Sequence, residues 1–302
     1  MMPIVFVANT GEDTVSVICP KDMREIHKYH LNSGISPVGP RRIAEEGGTL
    51  YIAASFANAL LKMSTSGNGG AEAVSIGKYP TGVCLHGKYA YVSCGESDSV
   101  WRVRKDNLAP AGCFPGGAFP NSIEICGKRG LLTADVVSAE VILLHPEKGE
   151  ALLHIKTGGP AYFAACHPVD GTIFCSRQCG FDNEQGCVSV YTGNGRHLTT
   201  LRAGVMPGPI RFFEGGKKAA VSDTGGKGVF ILNCENMEIE AHTEFDGMID
   251  DIIVIHEEGM ILAANMEEGV VEAVDFSGKK AGRAAVGREP RGLALKQAQL
   301  LI

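Results

Sequence analysis

A strand, a polar turn and a second strand open the chain as Val5-Phe-Val-Ala-Asn-Thr-Gly-Glu-Asp-Thr-Val-Ser-Val-Ile18, and degraded copies of this pattern recur to the C-terminus. The copies keep register on a proline. Pro40, Pro80, Pro120 and Pro160 fall at one constant spacing, Pro209 and Pro290 continue the series, and Asp250 stands in for one member. An apolar strand, a Gly-bearing turn and a second strand follow the proline without gaps in Pro40 to Ala53, Pro80 to Ser93, Pro120 to Thr133 and Pro209 to Ser222. A third, β-branched strand comes next, as in Ser99 to Val103 or Gly228 to Leu232, and a fourth, such as Ala151 to Thr157 or Ile239 to Phe245, closes the period. Four short strands repeated about every 40 residues predict the blades of a β-propeller.

Six such units are complete. Pro290 to Ile302 supply an inner strand, and the residues before Gly34 supply outer ones, so the expected fold is all-β, a seven-bladed β-propeller whose last blade is closed by N- and C-terminal strands. A split blade removes the open sheet edges that invite aggregation. Leu300 to Ile302 and Ile4 to Val7 both align with the second strand of that blade. No linker or charge block interrupts the repeat, so residues 1 to 302 read as one domain. The 39 glycines suit a fold of strands and tight turns.

A formal net charge of −6, with no cluster of Lys and Arg interleaved with aromatics, argues against nucleic acid as a partner. No run approaches the roughly 18 apolar residues of a membrane span. The start, Met1 to Asn9, is short, uncharged and reads as the first strand rather than as an export signal, so the expected location is cytoplasmic. The chain is cysteine-rich, with ten. Cys84, Cys126, Cys166 and Cys234 sit inside strand patterns and read as small buried hydrophobes in a reducing compartment. Cys175, Cys179 and Cys187 cluster where the fourth blade carries an insertion; their spacing is half of a zinc signature, and an ordinary loop rich in thiols is the commoner outcome.

The segment Phe6 to Ile18, followed more loosely by Tyr51-Ile-Ala-Ala-Ser55, Tyr91-Val-Ser-Cys94 and Leu262-Ala-Ala-Asn265, resembles the YVTN-repeat family of seven-bladed propellers, which is YncE-like and more distantly similar to lactonase-family, 6-phosphogluconolactonase-like propellers. The resemblance covers nearly the whole chain and is specific for blade geometry, not for chemistry. YncE-like proteins are usually exported, and this start does not match that habit. The WD dipeptide of interaction scaffolds is absent.

In propellers, the loops that lead into the inner strands share a face with the loops that link the second and third strands, and ligands bind there. The first set contributes Arg41, Arg42, Thr81, Asn121, Tyr162, Arg211, Asp250, Asp251 and Arg291; the second includes Asn9, Asp135, Arg177, Asp223 and Asn265. Guanidinium forks suit bidentate capture of carboxylate or phosphate. The expected ligand is therefore a small anionic molecule, held by Arg41, Arg211, Arg291, Tyr162, Asn121, Asp135 and Arg177. Asp223 or Asp250 would activate water if the chemistry is lactone hydrolysis. Mutual pairing of these arginines and acids across the mouth is an equally weighted reading. Asn9 and Asn265 fit turn-forming roles. A divalent cation, Ca or Mg, on the Asp and Asn oxygens is a further reading, which the neighbouring arginines disfavour. His86, His167 and His256 fall at the turn after the inner strand, on the opposite face. The alternative to a ligand-binding enzyme is a non-catalytic scaffold, with a protein partner on the same face touching Phe56, Phe181 and Met266.

Overall fold

The computed structural model describes residues 3–31, 33–34, 36–67, 70–179 and 185–296. It is all-β: seven four-stranded antiparallel sheets arranged in a ring, a seven-bladed β-propeller. The inner strands are Pro40–Glu46, Pro80–His86, Pro120–Cys126, Ala161–Cys166, Pro207–Phe213, Ile249–Ile255 and Pro290–Lys296, and they define blades 1 to 7 in that order. Blade 7 is the split one. Its inner strand pairs with Ile4–Asn9, through Phe6 opposite Ala294, and Thr14–Cys19 and Arg24–His30 complete it. Ile4–Asn9 thus takes the second position; Leu300 to Ile302 lie outside the described residues.

Burial follows from how blades stack. Second and third strands are covered on both faces by neighbouring blades, so they read as continuous apolar runs; every residue of Gly130–Asp135 and of Glu140–Leu144 is buried. Fourth strands form the rim and carry charge, as in Glu238–Glu244. The cores lie between blades: Val15 and Val17 of blade 7 pack with Ile52 and Leu61 of blade 1. Side chains also stitch neighbours together. Asp13 accepts the Val38 and Gly39 N–H groups, Asn58 the Tyr79 N–H and Asp98 the Phe119 N–H. All three stitching residues have positive φ, which short Asp and Asn side chains tolerate best.

Each inner strand begins with a β-bulge. The first residue pairs normally, the next is squeezed out of register, and pairing resumes one residue on. The extruded residues are Arg41, Thr81, Asn121, Tyr162, Asp250 and Arg291; in blade 5 pairing resumes only at Ile210, so Gly208 and Pro209 lie between. Three anchors shift as a result, the first being blade 4, which starts at Ala161 opposite Arg177 and not at Pro160. Blade 5 starts at Pro207, which opposes Asp223, and not at Pro209; Arg211 consequently sits two residues deeper than its expected partner Arg42, level with Glu124. Blade 6 starts at Ile249, so Asp250 takes the place of Arg41 rather than that of a proline.

The reading of all strand cysteines as isolated hydrophobes is corrected for one pair. Cys126 and Cys166, the last residues of inner strands 3 and 4, form a disulfide across the blades. Cys84 is buried and Cys234 half-buried, both as free thiols. Among the described residues no helix is long and apolar enough to cross a membrane.

Candidate functional site

Because the bulges extrude one side chain per blade toward the axis, the channel mouth collects residues from distant parts of the chain. A cavity of about 210 Å³ opens there, lined among others by Arg41, Arg42, Thr81, Asn121, Glu124, Tyr162, Arg211, Asp250 and Asp251. At roughly 30 Å³ per molecule of liquid water, it has room for about seven waters.

One wall is a cationic cluster built around a single carboxylate. Asp250 Oδ2 accepts from Arg42 NH1 at 2.5 Å and Oδ1 from Arg291 NH1 at 3.1 Å. Burial alone would raise this carboxyl, but Arg42, Arg41 and Arg291 overcome it and hold it down at about 2. Arg42 also donates to the carbonyls of Arg41, Arg291 and Asp250. It reaches them because Gly292 leaves space: a Cβ there would stand 2.6 Å from the Arg41 carbonyl oxygen. Arg41 differs from its neighbours. Its NH1 touches the Tyr79 hydroxyl at 3.3 Å and its guanidinium lies 5.5 Å from that ring, but no carboxylate comes within ion-pair distance among the described residues. Burial pushes its pKa down, and its Nε is buried without a hydrogen-bond partner, as is that of Arg291.

The floor is a second charge pair. Arg211 NH1 donates to Glu124 Oε1 at 3.0 Å, its NH2 approaches Asp251 Oδ1 at 3.5 Å, and the guanidinium rests on the Phe163 ring at 5.0 Å. Asp251 is consumed by structure, since its oxygens also accept the Ile252 and Leu293 N–H groups. Glu124 is not: only one of its oxygens meets a protein donor, and its side chain is 31% exposed to the cavity. Burial raises its pKa, with Arg211 opposing. Four arginines therefore face three carboxylates at the mouth, and burial raises the pKa of one of these, Glu124.

Other expected site residues are held away from the cavity lining. Asp223 is buried with its carboxylate taken by the N–H groups of Val205, Met206 and Gly226. Asp135 accepts from Val137 and Ser138 in the same manner. Arg177 is buried against Ser189 and the Gln178 carbonyl. Asn121 lines the cavity while its amide donates to the Tyr162 carbonyl at 2.8 Å. Asn9 and Asn265 serve turns and strands, bonding Thr14 and Ser16 and the Glu268 N–H. No histidine lines the cavity; His167 sits elsewhere, bonded to Asp170 and to the Gly216 carbonyl. Among the described residues no group of three His, Cys, Asp or Glu is arranged to hold a metal. Cys175 and Cys187 are buried on adjacent strands, opposite Ser189 and Arg177 respectively, and Phe181 lies outside the described residues. Phe56 is exposed on the mouth face and Met266 half-buried.

Sequence reasoning missed Tyr79 and Glu124. Tyr79 precedes an anchor proline and adopts a positive φ of 53°, an uncommon state for a bulky residue that leaves it beside Arg41. Its signal was the aromatic before the proline, repeated at Phe119. Glu124 was hidden by the misplaced blade 5 register, which put Arg211 one layer too high.

No protein-family model and no curated protein matches the sequence. Solved structures do match over almost the full length. The periplasmic gluconolactonase of Pseudomonas aeruginosa superposes with a TM-score of 0.77 at 15% identity, covering 98% of this chain and 99% of that one. A provisionally assigned 6-phosphogluconolactonase of Bacteroides fragilis gives 0.75 at 12%, covering 98% of each chain. Hydrazine synthase of Kuenenia stuttgartiensis gives 0.77 at 15%, covering 86% of this chain and 90% of that one. Such different chemistries on one scaffold mean that the likeness carries the fold and not the reaction. What the comparisons establish is a seven-bladed β-propeller whose structural neighbours include lactonases.

Proposed function

We propose that the chain binds a small anionic metabolite of the sugar-acid class at the channel mouth and hydrolyses its lactone, within the YVTN-like, lactonase-like kinship its repeats suggest. The observation that carries this is the half-buried Arg41 guanidinium, which lines the cavity with a buried, unpartnered Nε and no carboxylate within ion-pair distance among the described residues. A partly desolvated guanidinium that Asp250 offsets only through space, beside two further arginines, is under-compensated, so an anionic ligand completes the site. Glu124 supplies the base in place of Asp223 or Asp250. Asp250, held at about 2, is too weak to take a proton near neutrality, whereas Glu124 has a free oxygen and a pKa that burial raises. A site in which every acid and arginine was mutually neutralised would favour a non-catalytic scaffold; a raised acid beside an unpaired arginine favours an enzyme.

Isothermal titration with gluconate and 6-phosphogluconate tests the binding step. The wild type binds at least one of them, and Arg41→Ala weakens that affinity tenfold or more, as expected for loss of a charge-assisted hydrogen bond of roughly 1.5–3 kcal/mol. Equal affinity of the two proteins, or no binding of any sugar acid, rejects the reading. Lactone turnover, followed by pH-stat, is lost in Glu124→Gln with product affinity retained.

A further inference from the structure

The Cys126–Cys166 disulfide stands at the end of the channel opposite the mouth, and its two sulfurs have unequal surroundings. Cys126 is fully buried, in the core shared by blades 3 and 4. Cys166 is half-buried and lines a second cavity of about 250 Å³, whose wall also includes Glu124, Arg211 and Phe212. Beneath Cys126 lies a cation: Arg129 NH1 is 3.9 Å from its Sγ. That guanidinium is fixed across the blade boundary, donating to the Gly171 carbonyl at 3.2 Å and to the Gly193 carbonyl.

We infer that this bond is a thiol–disulfide exchange site, in which a low-molecular-weight thiol attacks Cys166 and Cys126 is the leaving group. Exchange runs through a thiolate attacking one sulfur, and its rate depends on access to that sulfur and on the stability of the departing thiolate. Only Cys166 offers access, through the second cavity. Cys126 has a guanidinium in direct contact with its sulfur to hold the departing charge, and no such contact to the Cys166 sulfur is found among the described residues. In the first step the attacking thiolate forms a bond to Cys166 Sγ, the Cys126–Cys166 bond breaks, and Cys126 departs as a thiolate beside Arg129. A second thiol then attacks the external sulfur of the mixed disulfide. Cys166 is released as a thiol, and the two external thiols leave as their own disulfide, having supplied two electrons to the pair. The inference is independent of the proposed reaction at the mouth, although Glu124 and Arg211 line both cavities.

The test is to incubate the folded protein with reduced glutathione, quench with an alkylating agent and map the peptides by mass spectrometry. Glutathione is expected on Cys166 at least tenfold more often than on Cys126. The single variants give a second reading. With Cys126→Ser, glutathione disulfide modifies Cys166 in the native state; with Cys166→Ser, Cys126 stays unmodified until the chain is unfolded. Arg129→Gln slows native exchange by roughly three- to tenfold while leaving the exchange rate in denaturant unchanged. Glutathione found on Cys126, exchange that tracks global unfolding, or no native exchange at either sulfur overturns the inference.

Discussion

Replacing Asp250 by Asn tests the electrostatic core of the mouth, because one carboxylate there pairs with two guanidiniums and offsets a third through space. Its carboxyl lies at about 2 in the folded chain against an ordinary 3.8. At about 1.36 kcal/mol for each pH unit, that difference corresponds to roughly 2–3 kcal/mol of stability from the ionised form. Asn leaves Arg42 and Arg291 without the carboxylate they pair with and takes from Arg41 its nearest compensating charge, so the full cost at neutral pH is expected to be about 3–5 kcal/mol. A depressed carboxyl contributes above its unfolded pKa and loses that contribution as pH falls through the folded value. The stability gap between wild type and Asp250→Asn is therefore complete above about pH 4 and shrinks between about pH 4 and 2. Urea unfolding of both proteins at several pH values across that window measures the gap, and subtracting one curve from the other removes the carboxylates they share. A variant within about 0.5 kcal/mol of wild type at pH 7, the ordinary range for surface changes, would refute the reasoning. So would a gap that does not change with pH.

Asp223→Ala is expected to lower the melting temperature by the loss of three buried N–H acceptor contacts, while the folded fraction keeps its affinity for a sugar acid; a large affinity loss would return Asp223 to the site. Glu124→Gln leaves stability within about 1 kcal/mol, since burial already disfavours the charged form and the amide still accepts from Arg211, so chemical denaturation separates a catalytic from a structural role. Gly117→Ala should destabilise by more than about 2 kcal/mol: Gly117 has φ +97° and an added Cβ would meet Asp135 Oδ2 at 1.9 Å, as a thermal melt would show. Reducing the disulfide, whose cysteines are 40 residues apart, should cost about 4 kcal/mol on the loop-entropy account, read as a shift in the denaturation midpoint with and without a phosphine reductant.

The blade count and the split seventh blade were legible in the chain, because a repeated strand-turn-strand unit can bury its two apolar faces only by stacking on copies of itself. Proline at the inner strand start marked most registers. It failed in blade 5, where Pro207 and Pro209 compete and only the pairing of Pro207 with Asp223 decides between them. That single choice moved Arg211 down beside Glu124 and changed which acid is available for chemistry. The spacing of Asp223 and Asp135 in the repeat equally could not show that backbone N–H groups consume their carboxylates, since this depends on how each turn folds back on the next blade.

Sequence alone determined the architecture and the presence of arginines at the mouth, since hydrophobic periodicity and turn chemistry are local properties that repeat along the chain. Tertiary structure decided the charge balance. Whether Arg41 finds a carboxylate, whether Glu124 keeps a free oxygen, and which cysteines meet are set by distances between blades far apart in sequence. At those distances, an ångström separates a neutralised ion pair from an open site.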